Sequence, residues 1–126
     1  MLSAGKMVGF VPTRDSQKAR EFYEGKLEFE FVSEDPFALV MRAGDGTIRI
    51  AKGARDFIPA AYTILGWEVQ NIEEAARWLK ERGVALERYP FAQDQELCVW
   101  IAPGGDKVAW FKDPDGNVLS ISQHQK

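Results

Sequence analysis

One stretch near the end of the chain constrains the fold more than any other. Residues 107–123 place apolar residues on both sides of the turn Asp113-Pro114-Asp115-Gly116-Asn117. In such a turn proline presets φ, glycine accepts a positive φ, and Asp and Asn side chains bond their own backbone. The stretch therefore predicts a β-hairpin. A second stretch of the same design surrounds Asp45-Gly46, and aligning the two turns pairs Met41 with Phe111. The chain is predicted to be a duplication.

Both hairpins follow the same series of elements. In the first half, about residues 7–53, a strand precedes a helix capped by Asp15, and three strands follow. In the second half, about residues 62–123, Asn71 is the expected cap and Glu74 completes a variant of the capping box. The first helix is expected to end at Gly25, with a strand from Leu27 to Phe31. The second half is expected to have strands at 84–88 and 96–102, with inserted residues near 89–95 between them. The order β-α-β-β-β thus occurs twice. It predicts an α+β fold for a single domain that spans residues 1–126.

Composition narrows the functional classes. A formal net charge of −3 without a basic cluster argues against binding of nucleic acid. The single cysteine, Cys98, excludes an internal disulfide framework and indicates a reducing compartment. No apolar stretch is long enough to span a bilayer, and no signal peptide is visible. The expectation is a cytoplasmic protein with no membrane or nucleic-acid partner.

Two motifs in this layout resemble the vicinal oxygen chelate superfamily, which includes glyoxalase I, bleomycin-resistance proteins and extradiol dioxygenases. They are Phe111–Asn117 with its following strand, and the helix start Asp15–Tyr23. The resemblance covers nearly the whole chain. It implies two curved mixed sheets that enclose a ligand-binding cavity, and it implies a homodimer.

Metal-dependent members of this superfamily carry a histidine in the first strand of a half and a glutamate after the turn. Carried over by position, these sites are Val8 and Ile64 for histidine, and Ile50 and Ser120 for glutamate. Three aliphatic side chains and one hydroxyl make no divalent-metal site. We therefore expect no metal, no cofactor, and neither glyoxalase I nor dioxygenase activity.

The resemblance and strand parity together predict what lines the cavity, because alternate residues of a strand share a face. Two alternatives stay open for Glu68, which is either a general base in the cavity or a partly solvated carboxylate at the strand end. Trp100 and Trp110 either stack on a flat ligand or pack in the protein, and Trp67 is expected to point away. The predicted pocket residues are Val8, Phe10, Ile48, Ile50, Lys52, Ile64, Glu68, Trp100, Trp110, Ser120 and Ser122.

Two functions are compatible with such a pocket. The first is a non-enzymatic protein that binds an apolar or aromatic small molecule. The alternative is a lyase or isomerase that uses Glu68 as base. Ser120 has no predicted histidine partner that could serve as a base, so nucleophilic catalysis at Ser120 is not expected. The only histidine, His124, lies near the C-terminus. The sequence does not identify the ligand.

Overall fold

The computed structural model describes residues 1–125, and it is an α+β structure built from two units. The first unit spans Met1–Pro59 and the second spans Ala60–Lys126. Each unit contains a four-stranded mixed sheet in which the first strand is parallel to its neighbour. The expected β-α-β-β-β order is confirmed in both. No helix in the described part of the chain is long and apolar enough to cross a membrane.

The sheet of the first unit has the strand order β1-β4-β3-β2. A single 3-10 turn at Leu2–Ala4 precedes it. Its elements are β1 (Val8–Pro12), α1 (Ser16–Arg20) with a π-helical continuation (Glu21–Lys26), β2 (Glu30–Glu34), β3 (Ala38–Ala43) and β4 (Gly46–Ala51). Asp15 caps α1, as expected, because its carboxylate accepts the N–H groups of Gln17 and Lys18. Two local predictions were wrong. Gly25 lies inside the π-helical turns instead of ending the helix, and the next strand begins at Glu30 instead of Leu27.

The sheet of the second unit has the order β5-β8-β7-β6. Its elements are β5 (Thr63–Glu68), α2 (Ile72–Glu81), β6 (Trp100–Ile101), β7 (Lys107–Lys112) and β8 (Val118–Gln123). The Asn71 side chain caps α2 by accepting the N–H of Glu74, and Gln123 Oε1 accepts the N–H of Ile72 at 2.9 Å. The second bond fixes the start of α2 to the end of β8.

Two predicted strands of this unit are shorter than expected. The stretch 84–88 contributes one bridge, between Leu86 and Phe111, and the stretch 96–102 is a strand only at Trp100–Ile101. Cys98 interrupts that strand, because its φ of 59° lies in the left-handed region. The residues before it form turns instead.

Each sheet has one buried face and one that we call its open face. In the first sheet the buried face carries Leu39, Met41 and Ile50, all fully buried. In the second sheet the buried face carries Phe111 and Leu119, and α2 packs against β7 and β8. Alternation along the strands turns the remaining side chains to the open faces.

The turn at 113–117 is built as its sequence predicts. Gly116 has a φ of +88°, and the buried Asp113 carboxylate accepts the N–H groups of Asp115 and Asn117 at 3.0 Å. Its second oxygen accepts Asn117 Nδ2 at 2.9 Å. The turn of the first hairpin is tighter, because Ala43 already pairs with Gly46. In the second hairpin the last pair is Lys112 with Val118.

Candidate functional site

The open face of the second sheet carries two rows of side chains that cross neighbouring strands. Residues paired across a sheet point to the same side, so the pairings define each row. One row contains Glu68, Ser122, Val108 and Trp100; the next contains Gly66, Ser120 and Trp110. Gly66 leaves room for its neighbour, since a Cβ there would lie 2.5 Å from Ser120 Oγ. A polar half and an aromatic half thus lie side by side on this face.

The aromatic half consists of four rings, Tyr89, Phe91, Trp100 and Trp110, which we call the aromatic cluster. The ring centroids of Tyr89 and Phe91 are 5.0 Å apart in a stacked pair. Both contact Trp110 edge-on, at 5.3 and 6.0 Å, and the two tryptophans lie 6.1 Å apart. Phe91 is nevertheless 54% exposed. The cluster therefore keeps apolar ring surface available to a ligand.

The loop that supplies Tyr89 and Phe91 is held by side-chain hydrogen bonds. Gln95 Nε2 donates to the carbonyl oxygens of Tyr89 and Ala92, at 2.9 and 2.6 Å. Gln93 exchanges two bonds with the backbone of Ile101, at 2.8 and 3.1 Å. The rings therefore rest on a fixed support. Sequence reasoning treated this loop only as an insertion and missed both rings; the signal was the pair of aromatics that flanks Pro90.

The polar half contains a serine, a histidine and an aspartate in one hydrogen-bonded line. Ser122 Oγ lies 3.0 Å from His124 Nε2, and His124 Nδ1 lies 3.2 Å from Asp106 Oδ2. Ser122 and His124 are two positions apart at the end of β8, so they point to the same side. Asp106 comes from the start of the neighbouring strand. The serine that meets His124 is Ser122 and not Ser120, and sequence reasoning did not consider Ser122 as a partner of the histidine.

Charge fixes the direction of these bonds. The Asp106 pKa is lowered, first because Oδ1 accepts the N–H of Gln125 at 2.7 Å, and further by the hydrogen bond and charge of His124. An ionised carboxylate only accepts, so His124 donates through Nδ1. In the tautomer that carries its single proton on Nδ1, Nε2 is an acceptor and Ser122 donates to it. A groove of about 460 Å³ is lined by Glu68, Val69, Gln70, Gln123 and His124.

The structure brings together five of the predicted pocket residues, Glu68, Trp100, Trp110, Ser120 and Ser122, on the open face of the second sheet. Trp67 points to the buried face, where it stacks on Phe111, as expected. Ile64 is the extra residue where the register between β5 and β8 shifts, so pairing does not assign it to a face.

The first sheet requires a correction. Val8 and Phe10 lie on its open face, paired with Thr47 and Arg49. Ile48 and Ile50 lie on the buried face, at 4% and 0% exposure. The expectation that all four share a face was wrong.

Lys52 directly follows β4, and by alternation it lies on the same face as Ile48 and Ile50. Its Nζ lies 2.6 Å from Glu34 Oε2. The Glu34 pKa is lowered, first by this hydrogen bond. Lys52 therefore does not share a face with Val8 and Phe10 either.

The pairing of the strands also changes which residue of the first sheet corresponds to the metal-ligand position that the resemblance implies. In the second sheet Ser120 pairs with Gly66, and the corresponding pair in the first sheet is Arg49 with Phe10. The late-strand position of the first half is therefore Arg49, not Ile50. An arginine, an aliphatic residue or a serine does not fit a divalent metal. Within residues 1–125 no three His, Cys, Asp or Glu side chains converge into a metal-binding group.

A duplicated β-α-β-β-β chain with two mixed sheets defines the vicinal oxygen chelate class of folds. The model of the Glyoxalase/Bleomycin resistance protein/Dioxygenase superfamily matches residues 6–121. The chain belongs to this superfamily. No curated protein matches the sequence.

Solved structures agree with this assignment at the level of the fold. A superfamily member from Sphaerobacter thermophilus shares 24% identity at a TM-score of 0.76, covering 98% of this chain and 100% of that one. TnmS3, an antibiotic-binding protein from a Streptomyces species, shares 22% identity at 0.70, with 99% of both chains covered. A lactoylglutathione lyase from Agrobacterium tumefaciens shares 15% identity at 0.74, covering 95% of this chain and 93% of that one.

Proposed function

We propose that this protein binds a flat apolar or aromatic small molecule on the open face of the second sheet, without a metal. The observation that carries the proposal is the aromatic cluster, whose rings present exposed surface beside the polar side chains of Ser120 and Ser122. Apolar surface with a few placed polar groups is the usual composition of a small-molecule site. The antibiotic-binding protein of the same fold supports this class of function.

A homodimer is part of the proposal. The open face of the first sheet exposes Phe10 by 67% and Val8 by 45%. Burying such side chains stabilises by roughly 1.5–3 kcal/mol each, which favours contact with a second copy. A cytoplasmic location also remains proposed, because the single Cys98 suits a reducing compartment.

Native mass spectrometry of the purified chain tests these parts together. We expect the mass of a dimer without bound zinc, nickel, iron or manganese, and an added mass when planar aromatic compounds are supplied. One metal ion per chain would contradict the metal-free site. A monomer would contradict only the dimer, and failure of every aromatic compound to bind would contradict the ligand class.

Mutation of the aromatic cluster locates the site. We expect Trp110→Ala to weaken the binding of an aromatic compound by about 2- to 10-fold, because one ring contact is worth about 0.5–1.5 kcal/mol. Isothermal titration calorimetry measures the change. Trp78→Ala is the matched control, since Trp78 lies on α2, which packs against β7 and β8. Equal weakening by both variants would place the site elsewhere.

The alternative enzyme function with Glu68 as base stays a prediction. Glu68 is exposed and borders the groove beside His124. Nothing in its surroundings favours proton abstraction over a solvated carboxylate. We therefore do not propose it as the function.

A further inference from the structure

We propose that Ser122 is a nucleophile that small aryl esters acylate, with His124 as its general base and Asp106 as the residue that positions the imidazole. The three residues lie in one hydrogen-bonded line, with heavy-atom distances of 3.0 and 3.2 Å. A serine next to a base that a third group orients is the arrangement that activates a hydroxyl. The inference shares Ser122 with the proposed ligand site but does not require ring stacking, so loss of acylation and loss of aromatic binding can be measured separately.

The fold keeps this line in place. Ser122 is in the middle of three paired strands, between Glu68 of β5 and Val108 of β7. Asp106 is fixed from two sides, since its carboxylate accepts the N–H of Gln125 and its carbonyl accepts the N–H of Ala102 at 2.7 Å. Neither Ser122 nor Asp106 must move to form the bonds that orient His124.

The general base is accessible. The His124 side chain is 48% exposed and lines the groove of about 460 Å³. Ser122 is half-buried beside it, so the proposal has the ester carbonyl reach Ser122 Oγ next to His124. An aryl leaving group suits this site, because a stable phenolate departs with little help from the protein.

The reaction follows from the direction of the hydrogen bonds. Ser122 Oγ forms a bond to the ester carbonyl carbon while its proton passes to His124 Nε2. The bond from that carbon to the aryl oxygen then breaks, and the phenolate leaves with the electron pair and takes up the proton. Water, deprotonated by His124, attacks the acyl-serine and releases the carboxylic acid and the free hydroxyl.

The test uses p-nitrophenyl acetate and the full-length chain. We expect release of p-nitrophenolate together with a hydroxylamine-sensitive acetyl group that tandem mass spectrometry places on Ser122. Ser122→Ala should abolish both. His124→Ala should slow release about 100-fold or more. Ser33→Ala is the matched control, an exposed strand serine in the first unit, and should leave the rate unchanged.

Asp106 needs a measurement that distinguishes positioning from folding. Asp106→Asn should lower the maximal rate without changing the ester concentration for half-maximal rate, and Asp106→Glu should recover part of the loss. Circular dichroism confirms that each variant is folded. An acetyl group only on lysines or on Ser120, or wild-type rates in His124→Ala, would overturn the proposal.

Discussion

The buried turn before β8 gives a prediction about the stability of the second unit. The turn of the first hairpin provides the experimental control. Asp113 is 5% exposed and accepts three hydrogen bonds inside the turn, from two backbone N–H groups and from Asn117 Nδ2. Replacement of Asp113 by alanine removes the acceptor of these three hydrogen bonds. We expect the second unit to lose stability.

The magnitude follows from which donors can reach water. Asn117 is 1% exposed, so the two hydrogen bonds that it donates to Asp113 lie where water is excluded. Asp115 is half-buried, so the loss of its hydrogen bond to Asp113 costs less. The loss of a buried hydrogen bond costs about 1–3 kcal/mol, and relief of burying a charge offsets a part. We therefore expect Asp113→Ala to lower the free energy of unfolding by about 2–4 kcal/mol.

Urea denaturation followed by tryptophan fluorescence measures this loss where it occurs. All four tryptophans lie in the second unit, at positions 67, 78, 100 and 110. The midpoint should fall by about 1–2 M urea with an unchanged slope. Asp45→Ala is the control, because Asp45 is the turn aspartate of the first hairpin but is exposed. Circular dichroism follows this control, which we expect to change stability by less than about 0.5 kcal/mol.

Two results would refute this reasoning. A loss below about 1 kcal/mol for Asp113→Ala would mean that the buried donors find other partners. A loss for Asp45→Ala as large as that for Asp113→Ala would mean that turn propensity, and not the buried hydrogen bonds, is what matters. Asp113→Asn should fall between wild type and alanine, because an amide keeps one acceptor oxygen.

Two further changes probe packing and charge. Gly66→Ala should lower the free energy of unfolding by about 1–3 kcal/mol, because the added Cβ would lie 2.5 Å from Ser120 Oγ. Adding Ser120→Ala to this variant should recover part of the loss. If urea denaturation shows that the losses of the two single variants simply add, this explanation is contradicted. The Asp35 pKa is lowered, first because the carboxylate accepts the N–H groups of Phe37 and Ala38 at 2.8 Å. Its contribution to stability is therefore present above the unfolded pKa and lost as pH falls through the folded pKa. Asp35→Asn should be less stable than wild type at neutral pH and equal in acid, and a pH-independent difference would argue against this.

The sequence predicts the elements better than it predicts the faces. Apolar periodicity, the caps at Asp15 and Asn71 and the turn at 113–117 are local signals, and the structure confirms the elements that they indicate. The face of the sheet on which a side chain lies depends on the strand register, which is set by pairing between residues far apart in the sequence. A shift of one residue moves every side chain of a strand to the opposite face. Alignment of the two turns by their Asp-Gly pairs gave this error for β4.

The serine, histidine and aspartate were invisible for the same reason. Ser122 and His124 are close in sequence at the end of the predicted hairpin, but a histidine two residues after a serine does not by itself indicate a hydrogen bond between them. Asp106 is brought to His124 only because β7 and β8 are antiparallel neighbours. Similarly, the rings of the loop at 89–91 meet Trp110 through the fold and not through sequence spacing.

The difference between the two hairpins has a functional consequence. In the first hairpin the strands are joined by two residues, so Arg49 lies on the open face where the second hairpin has Ser120. The open face of the first sheet therefore carries a guanidinium at this position, and a fixed cation opposes a divalent ion there. A histidine placed at position 8 would not remove that charge. The open faces of the two sheets have diverged in chemistry, and only the second combines aromatic rings with a hydroxyl bonded to an imidazole.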